Sequence, residues 1–185
     1  MSTLAITAPA LLGGEYNEAS VLGAAVWLWM HSASHRNTPL HGLSSLLLPA
    51  IKHGQFILAS QQDKPVFYLS WARMSLEAEA RYLQQHPMLM PAADWTSGDR
   101  IWLLDYVAPF GHGLPLRHIV TRLFAGHCMR ALDHRGNERG MRIKQFHGIA
   151  ILPAEARAWF ALHPPASHAG TTAPSCSADD RNQSA

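Results

Sequence analysis

Residues 101–107 read IWLLDYV, and this stretch decides the fold. It is apolar on both of its alternating faces except for Asp105, which is the pattern of a central strand covered on both sides. A strand of this kind needs helices above and below its sheet, so the stretch favours an α/β fold. The segments on either side of it alternate between helical and strand patterns, as such a sheet requires.

Upstream of this strand the patterns predict two helices, a β-hairpin and a short helix. Asn17 is a good cap for the first helix, and Ser75 for the last, whose Glu77 and Glu79 would lie near the positive end of the helix dipole. The hairpin turn falls at residues 61–65, QQDKP. The predicted ranges are 18–33 and 40–52 for the helices, 55–60 and 66–72 for the hairpin strands, and 76–85 for the short helix.

Downstream, residues 94–100 (DWTSGDR) indicate a loop before the central strand. Pro115 suits the first position of a helix, whose apolar stripe would run from Leu116 to Cys128. Residues 141–147 predict a last strand, and Pro153 begins a final helix. The chain therefore predicts a single mixed α/β (α+β) sheet with helices on both faces.

Composition limits the possible classes of protein. The chain has 185 residues, of which 48% are hydrophobic and 15% charged, enough for one domain with a real core. We place that domain at residues 15–162, after a flexible lead at 1–14 and before an Ala/Ser/Pro/Thr-rich disordered tail at 163–185. A net charge of +2 does not suit a nucleic-acid binder, and two cysteines cannot build a disulfide scaffold.

No targeting segment is convincing in the sequence. The N-terminus lacks the basic region of a secretory signal, and the longest apolar run, at residues 21–30, is far shorter than the roughly 20 residues that span a bilayer. We therefore expect a cytoplasmic protein without a membrane span.

Asp105 is the first residue that suggests chemistry. An ionised carboxylate among apolar strand neighbours is costly unless it has a partner or stays protonated. Two interpretations remain open at this point. The carboxylate either forms a structural ion pair with an arginine or orients a catalytic histidine.

The second such segment is WLWMHSASHRN at residues 27–37. Its His31 and His35 have the i,i+4 spacing that can bind zinc from a helix, but a zinc site needs three or four protein ligands and no third one is evident. We therefore predict no metal site. His35 alone also suits a helix C-terminus, where it would satisfy the last carbonyl groups.

The third segment is APFGHG at residues 108–113, between the central strand and the next helix. Gly111 and Gly113 allow close backbone approach, and the free N–H groups of a helix start could cradle an oxyanion, a phosphate or an amide linker. The segment lacks the pattern of a P-loop, and no GxSxG nucleophile elbow occurs in the chain.

Taken together, these segments resemble the toxin-activating lysine acyltransferases, the small bacterial proteins that acylate RTX cytolysin protoxins. The resemblance covers about residues 20–150, in the order found in that family. The matching strings are WLW at 27–29, SASHRN at 32–37, LPAI at 48–51 with Gln55, SWA at 70–72, DWTSGDR at 94–100, DYVAPFG at 105–111 and FHG at 146–148.

The resemblance implies roles for particular residues. His35 matches the catalytic histidine of the HRN motif, Asp105 the implicated acidic residue before APFG, and Ser32 a supporting serine. It also implies a fold similar to the Gcn5-related N-acetyltransferases, a cytoplasmic homodimer and no tightly bound cofactor. The co-substrate would be acyl-acyl-carrier protein, and the acceptors would be internal lysine ε-amino groups of an RTX protoxin.

Two chemical routes fit these residues. His35 could accept the proton of the attacking lysine while Asp105 holds its tautomer, or it could itself attack the thioester and form an acyl-imidazole. Backbone N–H groups of the Gly111–Gly113 turn are candidates for the oxyanion. An acyl groove could be lined by Trp27, Trp29 and Trp71, although these could equally be core residues.

Docking of an acidic carrier protein would need a basic face, although scattered arginines also occur merely to solvate a surface. The candidates for that face are Arg36, Arg117, Arg122, Arg130, Arg135, Arg139 and Arg142.

The sequence departs from the family pattern at Thr38, Leu69 and Tyr106, which stand where tryptophan, cysteine and tryptophan are common. A non-catalytic protoxin-binding chaperone is the main alternative function. A coenzyme A-dependent acetyltransferase fits less well, because it needs a longer Gly-rich pyrophosphate loop than residues 109–111 supply.

Overall fold

A computed structural model describes residues 4–133 and 142–166 of the chain. Its strands form one six-stranded sheet in sequence order, antiparallel throughout except for the parallel pair β4 and β5. The predicted mixed sheet is therefore confirmed. The strands are β1 Leu4–Thr7, β2 Phe56–Gln61, β3 Lys64–Met74, β4 Arg100–Val107, β5 Cys128–Asp133 and β6 Arg142–His147.

Helices cover both faces of this sheet, as predicted. On one face, called the α6 face after the helix α6 (Gly113–Leu123), Leu116 and Phe124 pack against Trp71 and Met129. On the other, called the α2 face, the helices α2 (Glu18–Met30) and α5 (Leu76–Gln84) pack against residues such as Tyr68 and Trp102. The helices are α1 Pro9–Leu12, α2 Glu18–Met30, α3 Leu43–Leu46, α4 Leu48–Lys52, α5 Leu76–Gln84, α6 Gly113–Leu123 and α7 Pro153–Leu162.

Both predicted helix caps are confirmed. The Asn17 Oδ1 atom accepts a hydrogen bond from the Ser20 N–H at 2.9 Å, and the Ser75 Oγ atom accepts one from the Ala78 N–H at 3.2 Å. The single helix expected at residues 40–52 is wrong, because a 3₁₀ turn and two short helices replace it. The helix breaks just before Pro49, which has no N–H to donate into a continuing helical ladder.

The predicted hairpin is confirmed, but its second strand is longer and its turn is tighter than expected. Gln62 and Asp63 form a two-residue turn with φ values of 49° and 60°. Positive φ at both central residues is the mark of a type I′ turn, whose twist matches that of the strands.

The chain departs from prediction at both ends of the domain. Residues 4–12 are not a loose lead, since β1 pairs with β2 and α1 follows it. At the other end, residues 163–166 of the predicted tail pack against buried side chains, and the rest of that tail lies outside the described residues. A four-residue strand such as LAIT is too short to show a period, which is why the sequence did not reveal it.

The region after β4 also differs in detail. The helix begins at Gly113 rather than at Pro115 and ends at Leu123, so Cys128 is not part of its stripe. Cys128 instead begins β5, where it packs against Phe160 of α7. The predicted loop at residues 94–100 begins within a 3₁₀ turn, which spans Ala92–Trp95.

A bulge in β4 sets the direction of Asp105. Ser70 pairs with Asp105 and Trp71 pairs with Leu103, so Leu104 is the extra residue on β4. Bulges re-aim the side chains that follow them. Tyr68 lies two residues before Ser70 on β3, so the two side chains point to the same face of the sheet, the α2 face. Because Asp105 lies opposite Ser70, it shares that face.

In the part of the chain that the structure describes, no helix has both the length and the apolar character needed to cross a membrane.

Candidate active site

The structure brings together the histidine and the carboxylate that the sequence singled out. The Nε2 atom of His35 lies 3.5 Å from Oδ1 of Asp105. Their side chains are 22% and 11% exposed, so the pair lies at the surface end of the α2 face and not deep in the core. A partly exposed histidine beside a carboxylate can exchange protons with a ligand that reaches it from solvent.

The turn after α2 positions His35. The backbone N–H of His35 donates to the Ser32 carbonyl at 3.1 Å, and the imidazole packs against the indole of Trp29 with ring centres 4.9 Å apart. The Ser32 hydroxyl is 2.8 Å from Nδ1 of the same imidazole. Both ring nitrogens of His35 therefore have a polar neighbour, one at each end of the ring.

Asp105 is held from its other side by Ser70. The Ser70 hydroxyl, fully buried, donates to Oδ2 of Asp105 at 2.5 Å. Among the described residues, the group recorded beside this carboxylate is the imidazole of His35 and not an arginine. Ser70 was not predicted as a site residue. The available signal was a serine inside the otherwise apolar run at residues 66–72.

Two buried tyrosines lie in the electrostatic field of this carboxylate. Burial, with a smaller contribution from the negative charge of Asp105, raises the pKa of Tyr68 well above its usual value. The same two causes raise the pKa of Tyr82. Both phenols therefore stay neutral through the ordinary pH range, and Asp105 has no second anion beside it from these two residues.

The glycine turn follows β4 at the same end of the sheet as Asp105. Gly111 has a φ of 81°, which favours glycine, and Gly113 begins α6. The Tyr106 hydroxyl donates to the Gly113 carbonyl at 2.6 Å, which ties the turn to the residue next to Asp105. First-turn N–H groups of a helix have no partner within the helix, so this turn can offer donors to an anion.

The groove that the tryptophans were suggested to form does not exist as one surface. Trp29 packs in the α2-face core and Trp71 in the α6-face core, on opposite sides of the sheet, so these two are ordinary core residues. Trp27 is partly buried, packs against the same α2-face core as Trp29, and also contacts Phe110. A cavity of about 520 Å³ lies beside Trp71 and Phe124, across the sheet from His35.

Arg130 does not belong to the suggested basic face. Arg130 is buried, stacks on the rings of Trp159 and Phe160, and donates to the His163 carbonyl. Arg135 and Arg139 lie outside the described residues. The remaining four are exposed: Arg36, Arg117, Arg122 and Arg142.

The two histidines of the i,i+4 pair serve different neighbours. The Nδ1 atom of His31 lies 2.8 Å from the Trp27 carbonyl, whereas His35 faces Ser32 and Asp105. Within residues 4–133 and 142–166, no group of three or more His, Cys, Asp or Glu side chains could hold a metal ion.

Known proteins resemble this chain across most of its length. It is 40% identical over 131 residues to a protein-lysine myristoyltransferase, HlyC, of Escherichia coli, a match that covers 71% of this chain and 76% of HlyC. It is 36% identical over 153 residues to a protein-lysine palmitoyltransferase, CyaC, of Bordetella bronchiseptica, which covers 82% of each chain.

Among solved structures, the chain is similar to the loading GNATL domain of CurA from Lyngbya majuscula. That match has a TM-score of 0.48 and 12% sequence identity, and it covers 74% of this chain and 71% of the other.

The sequence family described as the RTX toxin acyltransferase family matches residues 14–147. That range includes the complete site, from Ser32 through His35 and Ser70 to Asp105. The chain therefore belongs to the RTX toxin acyltransferase family, and it is an acyltransferase.

Proposed function

We propose that this protein moves a fatty acyl chain from acyl-carrier protein to internal lysine ε-amino groups of an RTX protoxin and so activates the toxin. The observation that carries the proposal is the juxtaposition of His35 and Asp105, with a serine hydroxyl at each end. Names of the relatives support the acceptor, since HlyC and CyaC are both protein-lysine acyltransferases.

The reaction first needs a neutral amine. A free lysine has a pKa of about 10.4, so releasing its proton at neutral pH costs about 4–5 kcal/mol. A nearby imidazole is suited to take that proton. Because Nε2 of His35 faces the Asp105 carboxylate, the neutral ring carries its proton on Nε2, which leaves Nδ1 as the basic nitrogen.

The Ser32 hydroxyl relays the proton of the lysine to Nδ1, accepting it on its oxygen while passing its own proton to the ring. This hydroxyl donates to Nδ1 while the ring is neutral, and its oxygen accepts from Nδ1–H once the ring is protonated. The lysine nitrogen then attacks the thioester carbonyl carbon. The new C–N bond forms, the C–S bond breaks, and the proton held on Nδ1 passes to the departing thiolate. The second proton, which the nitrogen loses as it becomes an amide, is taken up by the freed imidazole and released to solvent.

A developing oxyanion needs hydrogen-bond donors during this step. N–H groups of the Gly111–Gly113 turn are the proposed donors, because the turn follows Asp105 closely and begins a helix. The route through an acyl-imidazole uses the same residues in a different order. In that route Nδ1 attacks the thioester first, and the lysine displaces the imidazole in a second step.

The carrier protein is proposed to dock on exposed basic residues near the site, of which Arg36 is next to His35 in sequence. Arg117 and Arg122 lie on the helix that the glycine turn begins. Acidic carrier surfaces would be steered by such charges, and the docking would weaken with salt. We further propose that the protein acts as a homodimer in the cytoplasm.

The test is reconstitution with purified components. The protein is incubated with a protoxin and, in parallel, with acyl-acyl-carrier protein or acyl-coenzyme A, and the protoxin is analysed by intact mass. Acyl addition to lysine from the carrier thioester is expected. Acylation from acyl-coenzyme A, but not from the carrier thioester, would overturn the proposed donor. Tight protoxin binding without any mass increase would establish the chaperone function instead.

A further inference from the structure

Two aromatic rings face the ammonium group of Lys64, and a third ring packs against both of them. The Nζ atom of Lys64 is 5.3 Å from the ring centre of Trp27 and 5.1 Å from that of Phe110. These two rings are 5.3 Å apart, and His31 contacts both, at 4.3 Å and 5.3 Å. We call Trp27, His31 and Phe110 the aromatic box.

The box is built by the same two segments that carry the site. Trp27 and His31 lie one turn apart at the end of α2, and the turn that follows holds His35. Phe110 follows β4, five residues after Asp105. The aromatic box and the His35–Asp105 pair therefore lie on the same two segments of the chain.

The rings are the binding partners recorded for the Lys64 ammonium. Among the described residues, the recorded ion pairs involve other cations, and no carboxylate pairs with Lys64. Lys64, His31 and Phe110 are also exposed, so the box is open to solvent. A surface arrangement of electron-rich ring faces around a cation is a binding site for ammonium or guanidinium groups.

The structure thus points to a docking function, which rests on the proposed function. We infer that the aromatic box binds a lysine or arginine side chain of the substrate segment, beside the acceptor lysine, and that Lys64 is the resident occupant it displaces. The acceptor lysine itself is a poor occupant, because a cation–π contact stabilises the protonated amine whereas acylation needs the neutral one.

Ligand binding to the box can be measured without any acyl transfer. In the Lys64→Ala variant, the indole N–H signal of Trp27, assigned through Trp27→Phe, is followed by NMR while Nα-acetyl-lysine methylamide is added. A saturable shift is expected. The uncharged analogue Nα-acetyl-norleucine methylamide, which has the same chain without the ammonium, is expected to give none. Equal shifts with both probes, or no shift with either, would overturn the assignment.

Kinetics with the protoxin test whether the box docks substrate. Phe110→Leu is expected to raise KM for the protoxin roughly 3- to 10-fold, with a smaller effect on kcat, since that is the worth of one cation–π contact. Phe110→Tyr keeps a ring and should retain the wild-type KM. Lys64→Ala should lower KM, whereas Lys52→Ala, which removes an exposed lysine of α4, should not.

Unchanged KM in both Phe110→Leu and Lys64→Ala would overturn the docking function even if the box binds the lysine probe. A wild-type protein that acylates nothing would contradict the proposed function instead, and the NMR titration would still test the box.

Discussion

Strand β4 carries two charged groups five residues apart, and their surroundings differ sharply. At its start, Arg100 pairs with Glu79 at 2.8 Å, with side chains 11% and 0% exposed. Near its end, Asp105 faces His35 at 3.5 Å, and the side chain of His35 is about twice as exposed as that of Arg100. The same strand therefore holds one buried ion pair and one that reaches solvent.

The buried pair is satisfied from several directions. Arg100 also donates to the Pro164 carbonyl at 2.9 Å, and Glu79 accepts from the Ala166 N–H at 3.2 Å. Such a cluster fixes the segment at residues 163–166 against the core and leaves little capacity for chemistry. The His35–Asp105 pair is oriented by two serine hydroxyl groups and by the ring of Trp29, and its imidazole remains accessible. The buried pair therefore holds the fold together, and the accessible pair is the one that we propose for the chemistry.

Glu79→Gln should produce the largest change in stability. It leaves the Arg100 charge buried without its counter-ion, which costs about 3–5 kcal/mol of unfolding free energy. Urea denaturation measures this loss, with Glu77→Gln as the control, because Glu77 is exposed on the same helix. A variant as stable as the wild type would show that the buried pair does not hold the fold.

Asp105→Asn should lower the activity and leave the stability nearly unchanged. The amide keeps the shape and can accept the Ser70 hydrogen bond, but it cannot stabilise a protonated imidazole. We expect acyl transfer to fall roughly 10²-fold with little change in unfolding free energy. Asp63→Asn, in the exposed hairpin turn, is the matched control. Strong destabilisation with unaltered turnover per folded molecule would place Asp105 with the structural pair.

Ser32→Ala tests the other end of the imidazole. The Ser32 oxygen is positioned to accept from Nδ1–H of the protonated ring, and a hydrogen bond to a charged group is worth about 1.5–3 kcal/mol. We therefore expect kcat to fall roughly 10- to 100-fold. Single-turnover assays measure this. Abolition of transfer equal to the loss of the histidine would indicate that Ser32 is itself the nucleophile.

Ser70→Ala should have the smallest effect of the four. It removes a donor to Asp105 but leaves the carboxylate and its charge, so a fall in kcat of roughly 3- to 10-fold is expected with KM unchanged. Ser60→Ala, on the neighbouring strand β2, should leave both constants unaltered. An effect on KM alone would contradict a role in orienting Asp105.

Much of the site could be predicted because the cost of burying a charged group can be judged for each residue separately. A carboxylate in an apolar central strand must have a partner, and Asp105 proved to have two. Ser70 escaped notice because a buried serine is unremarkable until its hydroxyl is seen to face a carboxylate. Glu79 was assigned to the helix dipole, although it lies between Ala78 and Leu83 on the buried stripe of α5. Its place on the apolar side of this helix was the sign in the sequence that Glu79 is buried.

The helices and strands with a long periodic sequence pattern could be predicted, whereas those whose conformation depends on pairing with distant strands were missed. The central strand, the hairpin and the capped helices carry strong local patterns. Strand β5, CMRALD, has no β-branched residue, and its conformation depends on pairing with β4 and β6. The direction of Asp105 depends on the bulge at Leu104, which is a property of register between two strands and not of either sequence alone.

The most direct test of the account is His35→Ala, measured for acyl transfer to protoxin and for urea unfolding in the same preparation. If the accessible pair performs the chemistry, transfer falls by at least roughly 10²-fold while the unfolding midpoint stays near that of the wild type. Acylation at the wild-type rate in a folded His35→Ala protein would contradict the central claim.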